Sequence, residues 1–153
     1  HVEETVRSLT ADWKRKPEIV VGDDAKWSAF GQADVALAAS GTVTLELALC
    51  DVPLISCYKI DAIAEMAARR VMTTWWLSLP NLIADRPVVT EFYQDRVRPG
   101  TLVRNVEGLM EEGSARQAQL DGFAKIRRRL ATDRPSGEIA ADIVLAEIAR
   151  RRR

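Results

Sequence analysis

With 153 residues, 47% of them hydrophobic and 29% charged, the chain falls in the range of one globular domain able to bury a core of its own. Lys and Arg together number 22, as do Asp and Glu, so the formal net charge of +0 removes any global electrostatic case for a nucleic-acid partner. A single His at position 1 and two cysteines, Cys50 and Cys57, supply no cluster of soft ligands, so neither a metal nor a cofactor is expected.

In chain order, the opening HVEETVRSLTADWKRK is helical in character and starts on His, as expected of a piece cut from something longer. Residues 18–22, EIVVG, form a β-branched run closed by glycine and read as a strand. DDAKWSAFGQ, 23–32, has the acidic start of a short helix. ADVALAA, 33–39, is a continuous apolar run of strand length, the pattern of a strand buried on both faces in a parallel sheet. From Thr42 the spacing of Val43, Leu45, Leu47, Ala48 and Leu49 becomes that of a helix ending near Cys50 and Asp51. VPLISCYK, 52–59, is the next strand, with Pro53 tolerated near its start. Both cysteines sit among apolar neighbours and are expected as small buried thiols of a reducing compartment.

DAIAEMAARRVMTT, 61–74, predicts a helix capped by Asp61, with Ile63, Met66, Ala67 and Val71 on one stripe. WWLSLPNLIA, 75–84, reads as an extended segment broken by Pro80, and RPVVTEFYQ follows. Beyond RPGT come three helical stretches, Leu102 to Glu112, Ala115 to Ala131 and Ser136 to the end, separated by Gly113 and by residues 134–137. Strands alternating with helices predict an α/β fold, a Rossmann-like parallel sheet with flanking helices, in one domain over 1–153 whose helical carboxyl-terminal tail covers 114–153. No run approaches the roughly 18 to 20 apolar residues of a bilayer span, so a soluble chain is expected. Arg127, Arg128 and Arg129 form one short basic patch without interleaved aromatics, which disfavours a nucleic-acid reader.

In such sheets ligands bind at the carboxyl ends of the strands, where the Ser40-Gly41-Thr42 corner is expected. A helix start offers about four unpartnered N–H groups and roughly half a positive charge, so anions bind there readily. Gly41 lacks the Cβ that would hold a phosphate off the backbone, and Ser40 and Thr42 add hydroxyls. Glu46 lies one turn beyond Thr42, on the same side of the helix, where its carboxylate can accept two hydrogen bonds from vicinal ribose hydroxyls. An ordinary N-cap and a solvated glutamate explain the same residues without a ligand.

AASGTVTLELALCDVPLISCYK followed by WLSLPNLIADRPVVTEFYQ resembles the carboxyl-terminal half of the lipid-A-disaccharide synthase family, inverting glycosyltransferases of GT-B architecture. The first block is shared loosely across GT-B enzymes and sugar-nucleotide epimerases. The S-L-P-N at Ser78 to Asn81 and the E-x-x-Q at Glu91 to Gln94 carry the specific resemblance, with Asp85, Thr90 and the Trp75-Trp76 pair as departures.

The resemblance implies transfer of 2,3-diacylglucosamine from its UDP donor to 2,3-diacylglucosamine 1-phosphate, in the lipopolysaccharide pathway of Gram-negative bacteria. It implies a diphosphate at Ser40, Gly41 and Thr42, with Thr44 lining the helix start, the ribose on Glu46, and Tyr58 lining the uridine pocket. Asn81, Glu91 and Gln94 would face the cleft and contact the donor sugar or its phosphate. The general base is expected in an amino-terminal half that this chain lacks, so the chain alone should bind UDP weakly and turn nothing over. The partners implied are a UDP-sugar donor, an acylated sugar phosphate acceptor and the inner-membrane surface, which makes the enzyme cytoplasmic and peripheral; a homodimer of the full-length enzyme stays open. Arg69, Arg70, Trp75 and Trp76 combine cations and aromatics in a way suited to an anionic interface. The rival readings are another UDP-sugar enzyme of this architecture, either a peptidoglycan glycosyltransferase or an epimerase, and a non-catalytic α/β interaction module.

Overall fold

A strand cannot continue through Ser40 and Gly41, and this break sets the geometry of everything after it. In the computed structural model, which describes residues 2–59 and 76–151, the apolar run forms strand β1 at Ala36–Ala38 and helix α3 begins at Thr42. Two helices precede them, α1 at Val2–Leu9 and α2 at Asp23–Gln32. Helix α3 ends at Leu49, and the chain turns through Asp51, in the left-handed region at φ 55°, into strand β2 at Leu54–Tyr58. Helix α4 spans Leu79–Ala84, strand β3 spans Thr90–Tyr93, and a short 3-10 turn covers Gln94–Arg96. Helices α5 (Pro99–Met110), α6 (Ser114–Leu130) and α7 (Ser136–Arg151) complete the described chain.

The three strands are parallel in the order β1-β2-β3, with Leu37 opposite Ile55, Ser56 opposite Glu91, and Tyr58 opposite Tyr93. The expected α/β class, a Rossmann-like parallel sheet flanked by helices, is the one observed. Ala38, Leu47, Ala48, Val52, Leu54, Val89, Phe123 and Ile126 form the core where α3 and α6 meet the sheet. Burying each large member of that set contributes on the order of 1.5–3 kcal/mol. Helix α6 comes close because residue 122 is glycine: a Cβ there would stand 2.4 Å from Val88 Cγ1. Gln119, one turn earlier and buried, uses its side-chain amide as a surrogate peptide. Its Oε1 accepts from Leu54 N at 2.7 Å and its Nε2 donates to Leu54 O at 3.0 Å, fastening α6 to the start of β2.

Four expectations are corrected. Residues 18–21 form no strand, and Val20 and Val21 are exposed, because β-branched composition supplies propensity but a strand exists only with a ladder partner, and the described sheet ends at β1. Strand β1 is shorter than the apolar run and is not covered on both faces, since Leu37 is 53% exposed. Residues 79–84 are helical rather than extended. Pro80 sits in the first turn of α4, where its missing N–H would be unpartnered in any case and its fixed φ already suits a helix. Cys50 is exposed rather than buried because it falls at the α3 terminus facing the Asp51 turn, and Cys57 is half-buried; both are free thiols. The helix expected over 61–74, with Arg69, Arg70 and Trp75, lies outside the described residues.

Candidate functional site

The corner lies beyond the carboxyl end of β1, as a doubly wound sheet requires of a ligand site. Gly41 adopts φ 144°, a conformation that L side chains rarely enter, and the space its Cβ would occupy is open to 4 Å. A ligand atom can therefore approach the backbone at the very start of α3, where the first N–H groups have no intrahelical acceptor. Thr42 is exposed at the first helical position. Thr44 is fully buried, and its hydroxyl donates to Gly41 O at 2.7 Å. That bond braces the turn from beneath, so Thr44 acts on the corner through the Gly41 peptide.

The Ser40 hydroxyl donates to Leu77 O at 2.9 Å, which ties the corner to the segment before α4. That segment is in turn gripped by Glu91. Its carboxylate accepts from Leu77 N at 3.1 Å, from Ser78 N at 3.0 Å, from Ser78 Oγ at 2.6 Å and from Asn81 Nδ2 at 2.8 Å. Asn81 is completely buried rather than facing a cleft: its Nδ2 also donates to Val89 O at 2.8 Å, and its Oδ1 accepts from Val88 N and Val89 N at 2.7 Å each. S-L-P-N and the glutamate of E-x-x-Q are thus the two halves of one clasp joining α4 to β3.

Glu46, one turn into α3, meets Lys26 of α2, with Nζ 3.2 Å from Oε2 and 3.3 Å from Oε1. Lys26 also pairs with Asp23 at 3.2 Å and lies 4.5 Å from the Trp27 ring centroid. The Glu46 carboxylate beside the ammonium, foremost through their hydrogen bond, raises the Lys26 pKa. The partially exposed Glu46 is therefore held in one orientation, near the corner, by a cation that sequence reading missed; the only signal was a single lysine in the acidic first turn of α2.

Tyr58 and Tyr93, paired in register at the carboxyl ends of β2 and β3, stack with centroids 6.3 Å apart and planes at 26°, and the Arg96 guanidinium lies 5.7 Å from the Tyr93 centroid. The Tyr58 hydroxyl is buried and finds no hydrogen-bond partner among the described residues. Burial first, then the nearby Glu91 charge and Tyr93, push its pKa up to about 12. Gln94 follows directly, with φ 53°, in a region a non-glycine residue enters only under constraint. A recess of about 430 Å³ opens here, lined by Trp76, Glu91, Tyr93 and Arg96 among others. Trp76 is half-buried. Ser40, Gly41, Glu91 and, through Leu77, the edge of this recess form one connected arrangement; Tyr58 and Gln94 stand at the same end of the sheet.

A parallel sheet flanked by helices, with a glycine corner opening onto a helix start at its carboxyl edge, defines a Rossmann-like unit of the kind that makes up half of a GT-B fold. The chain belongs to the lipid-A-disaccharide synthetase family, whose sequence model matches residues 1–144. Among curated proteins it is 45% identical over 147 residues to a lipid-A-disaccharide synthase of Rhodopseudomonas palustris, covering 95% of this chain and 37% of that protein. It is 38% identical over 154 residues to the enzyme of the same name from Bradyrhizobium diazoefficiens, covering 100% of this chain and 39% of that protein. For the Rhodospirillum centenum protein of that name the identity is 39% over 151 residues, covering 98% and 38% respectively. The chain thus spans less than two-fifths of the length of these relatives. None of the described helices is long and apolar enough to cross a membrane.

Proposed function

We propose that the chain is the carboxyl-terminal, UDP-sugar-holding half of a glycosyltransferase that forms the lipid A disaccharide from UDP-2,3-diacylglucosamine and 2,3-diacylglucosamine 1-phosphate. The observation that carries this reading is Gly41: left-handed backbone with open space before it, at the start of a helix on the carboxyl edge of a parallel sheet. The diphosphate sits against Ser40, Gly41 and Thr42, with Thr44 bracing the turn, and Glu46 receives the ribose hydroxyls. Tyr58 and its stacking partner Tyr93 border the uridine.

Departure of UDP leaves negative charge on the β-phosphate, and N–H donors already aimed at that position stabilise the charge in the transition state more than in the ground state. Glu91, engaged by four donors, orients rather than abstracts: three of them sit on Oε1, so Oε2, which holds only the Leu77 N–H, accepts a donor-sugar hydroxyl, while Asn81 fixes the carboxylate from behind and Gln94 reaches the sugar or its phosphate. The general base that takes the acceptor proton lies in the part of the relatives' length beyond this chain. The family match favours this reading over a peptidoglycan glycosyltransferase, an epimerase or a non-catalytic module.

The acylated substrates bring the enzyme to the inner-membrane surface on its cytoplasmic side, and the sequence around Arg69, Arg70, Trp75 and Trp76 supplies the cations and aromatics suited to an anionic interface. Assaying the chain alone and joined to the missing amino-terminal half tests the division of labour. Disaccharide should form only from the joined protein; formation by this chain alone contradicts the two-half reading.

A further inference from the structure

The sheet has a second end, and its chemistry is opposite in kind to that of an acidic or neutral surface. At the amino-terminal edge of β3, a recess of about 490 Å³ is lined by Ala84, Arg86, Lys125, Ile126, Arg128 and Arg129, four cations and no carboxylate. The convergence follows from the fold. Asp85 turns the chain out of α4 in the left-handed conformation, φ 52°, which places Arg86 beside α6. On α6 the fully buried Ile126 fixes the helix rotation, and Lys125, Arg128 and Arg129, spaced three and four residues apart, share one outer face. The Arg129 guanidinium donates to Ile83 O, which anchors it at the end of α4.

Five of the ten other arginines among the described residues are ion-paired: Arg7 with Glu3, Arg127 with Asp51, Arg134 with Asp142, and Arg150 and Arg151 with Glu147. Arg86, Lys125, Arg128 and Arg129 have no ion pair among the described residues. Complementing the α6 dipole accounts for cations in the last turn. It does not account for Lys125, more than a turn from the helix end, nor for Arg86, which arrives from a separate segment. A chain of zero net charge has here concentrated mutually repelling cations around a concavity, an arrangement that a multivalent anion relieves. Guanidinium forks match phosphate oxygens, and two or more cations match a phosphate dianion.

The geometry points to a phosphate-binding site in this recess, at the end of the sheet opposite the Gly41 corner and independent of the function proposed for that corner. Two sources carry this chemistry, a phosphate in solution and the headgroup of an anionic lipid. To separate them, the isotope-labelled chain is titrated with pyrophosphate and, in parallel, mixed with vesicles of phosphatidylglycerol or of phosphatidylcholine, all at constant ionic strength. Shifts at residues 84–86 and 125–129 with pyrophosphate assign the site to soluble phosphate; a response there to phosphatidylglycerol vesicles alone assigns it to the headgroup. Either supports the site. The exposed pair Lys125→Ala and Arg128→Ala should weaken that binding about tenfold or more, whereas Lys14→Ala with Lys16→Ala, equal in charge change, should leave it intact. Equal loss in both double variants, pyrophosphate shifts confined to the Gly41 corner with no vesicle response, or equal binding to the two lipids without pyrophosphate shifts would each overturn it.

Discussion

Ser40 and Glu91, from opposite edges of the three-stranded sheet, hold the two ends of one residue: the Ser40 hydroxyl donates to Leu77 O at 2.9 Å, and the Glu91 carboxylate accepts from Leu77 N at 3.1 Å. The corner and the S-L-P-N clasp are therefore one mechanical unit, and a change at Glu91 reaches the Gly41 turn without touching it. Glu91→Ala strands four donors and should lower the free energy of unfolding by about 3 kcal/mol in urea denaturation, against about 1 kcal/mol for Ser40→Ala, which removes one neutral bond. Comparable, small losses for the two would mean that the clasp contributes little.

Gly122→Ala exchanges a poor helix former for the best one, a gain of about 1 kcal/mol in an exposed helix. Here the new methyl would meet Val88 Cγ1 at 2.4 Å, and Val88 is β-branched and stiff. Overpacking dominates, and a net destabilisation of about 1–3 kcal/mol is expected. Adding Val88→Ala should recover part of the loss, so a double-mutant cycle with a favourable coupling checks the contact itself.

Asp85 occupies the left-handed position that closes α4, donating its N–H to Asn81 O. Glycine takes this conformation without a Cβ clash. Asp85→Gly should raise stability by up to about 1 kcal/mol, read from the denaturation midpoint. A loss would show that the Asp85 side chain has a partner function of its own.

Tyr58 ionises near pH 12 in the folded chain, against an ordinary value of 10.0. Between these two pH values the unfolded chain gives up a phenolic proton that the folded chain keeps. The unfolded state then binds fewer protons, so this contribution to stability is complete below pH 10 and is lost as pH rises toward 12. With two tyrosines in the chain, Tyr93→Phe leaves Tyr58 alone in an ultraviolet phenolate titration. An ordinary midpoint there would mean that the hydroxyl is not buried.

What the sequence made legible were the features that local chemistry determines. The Ser40-Gly41-Thr42 break, the helix from Thr42 and the helices beyond Pro99 follow from turn residues and apolar spacing, and the structure keeps them within a few residues. Residues 18–21 and Pro80 failed for complementary reasons: pairing is a tertiary property that composition does not contain, and a proline that breaks a helix interior also begins one. At the site, Asn81 and Glu91 stood out as polar residues in a motif, but nothing local distinguishes a ligand contact from a buried clasp. Lys26 on Glu46 and Gln119 on Leu54 join residues 20 and 65 positions apart, and no periodicity records such pairs.

The most direct measurement is a titration of the isotope-labelled chain with UDP, following each backbone amide and comparing the unaltered chain with Glu46→Gln. Saturable shifts at Gly41, Thr42 and Glu46, with affinity about tenfold weaker in the variant, are the result expected of a diphosphate on the corner and a ribose on the carboxylate. Binding that leaves Gly41 and Glu46 unmoved, or that Glu46→Gln does not weaken, would contradict the nucleotide site.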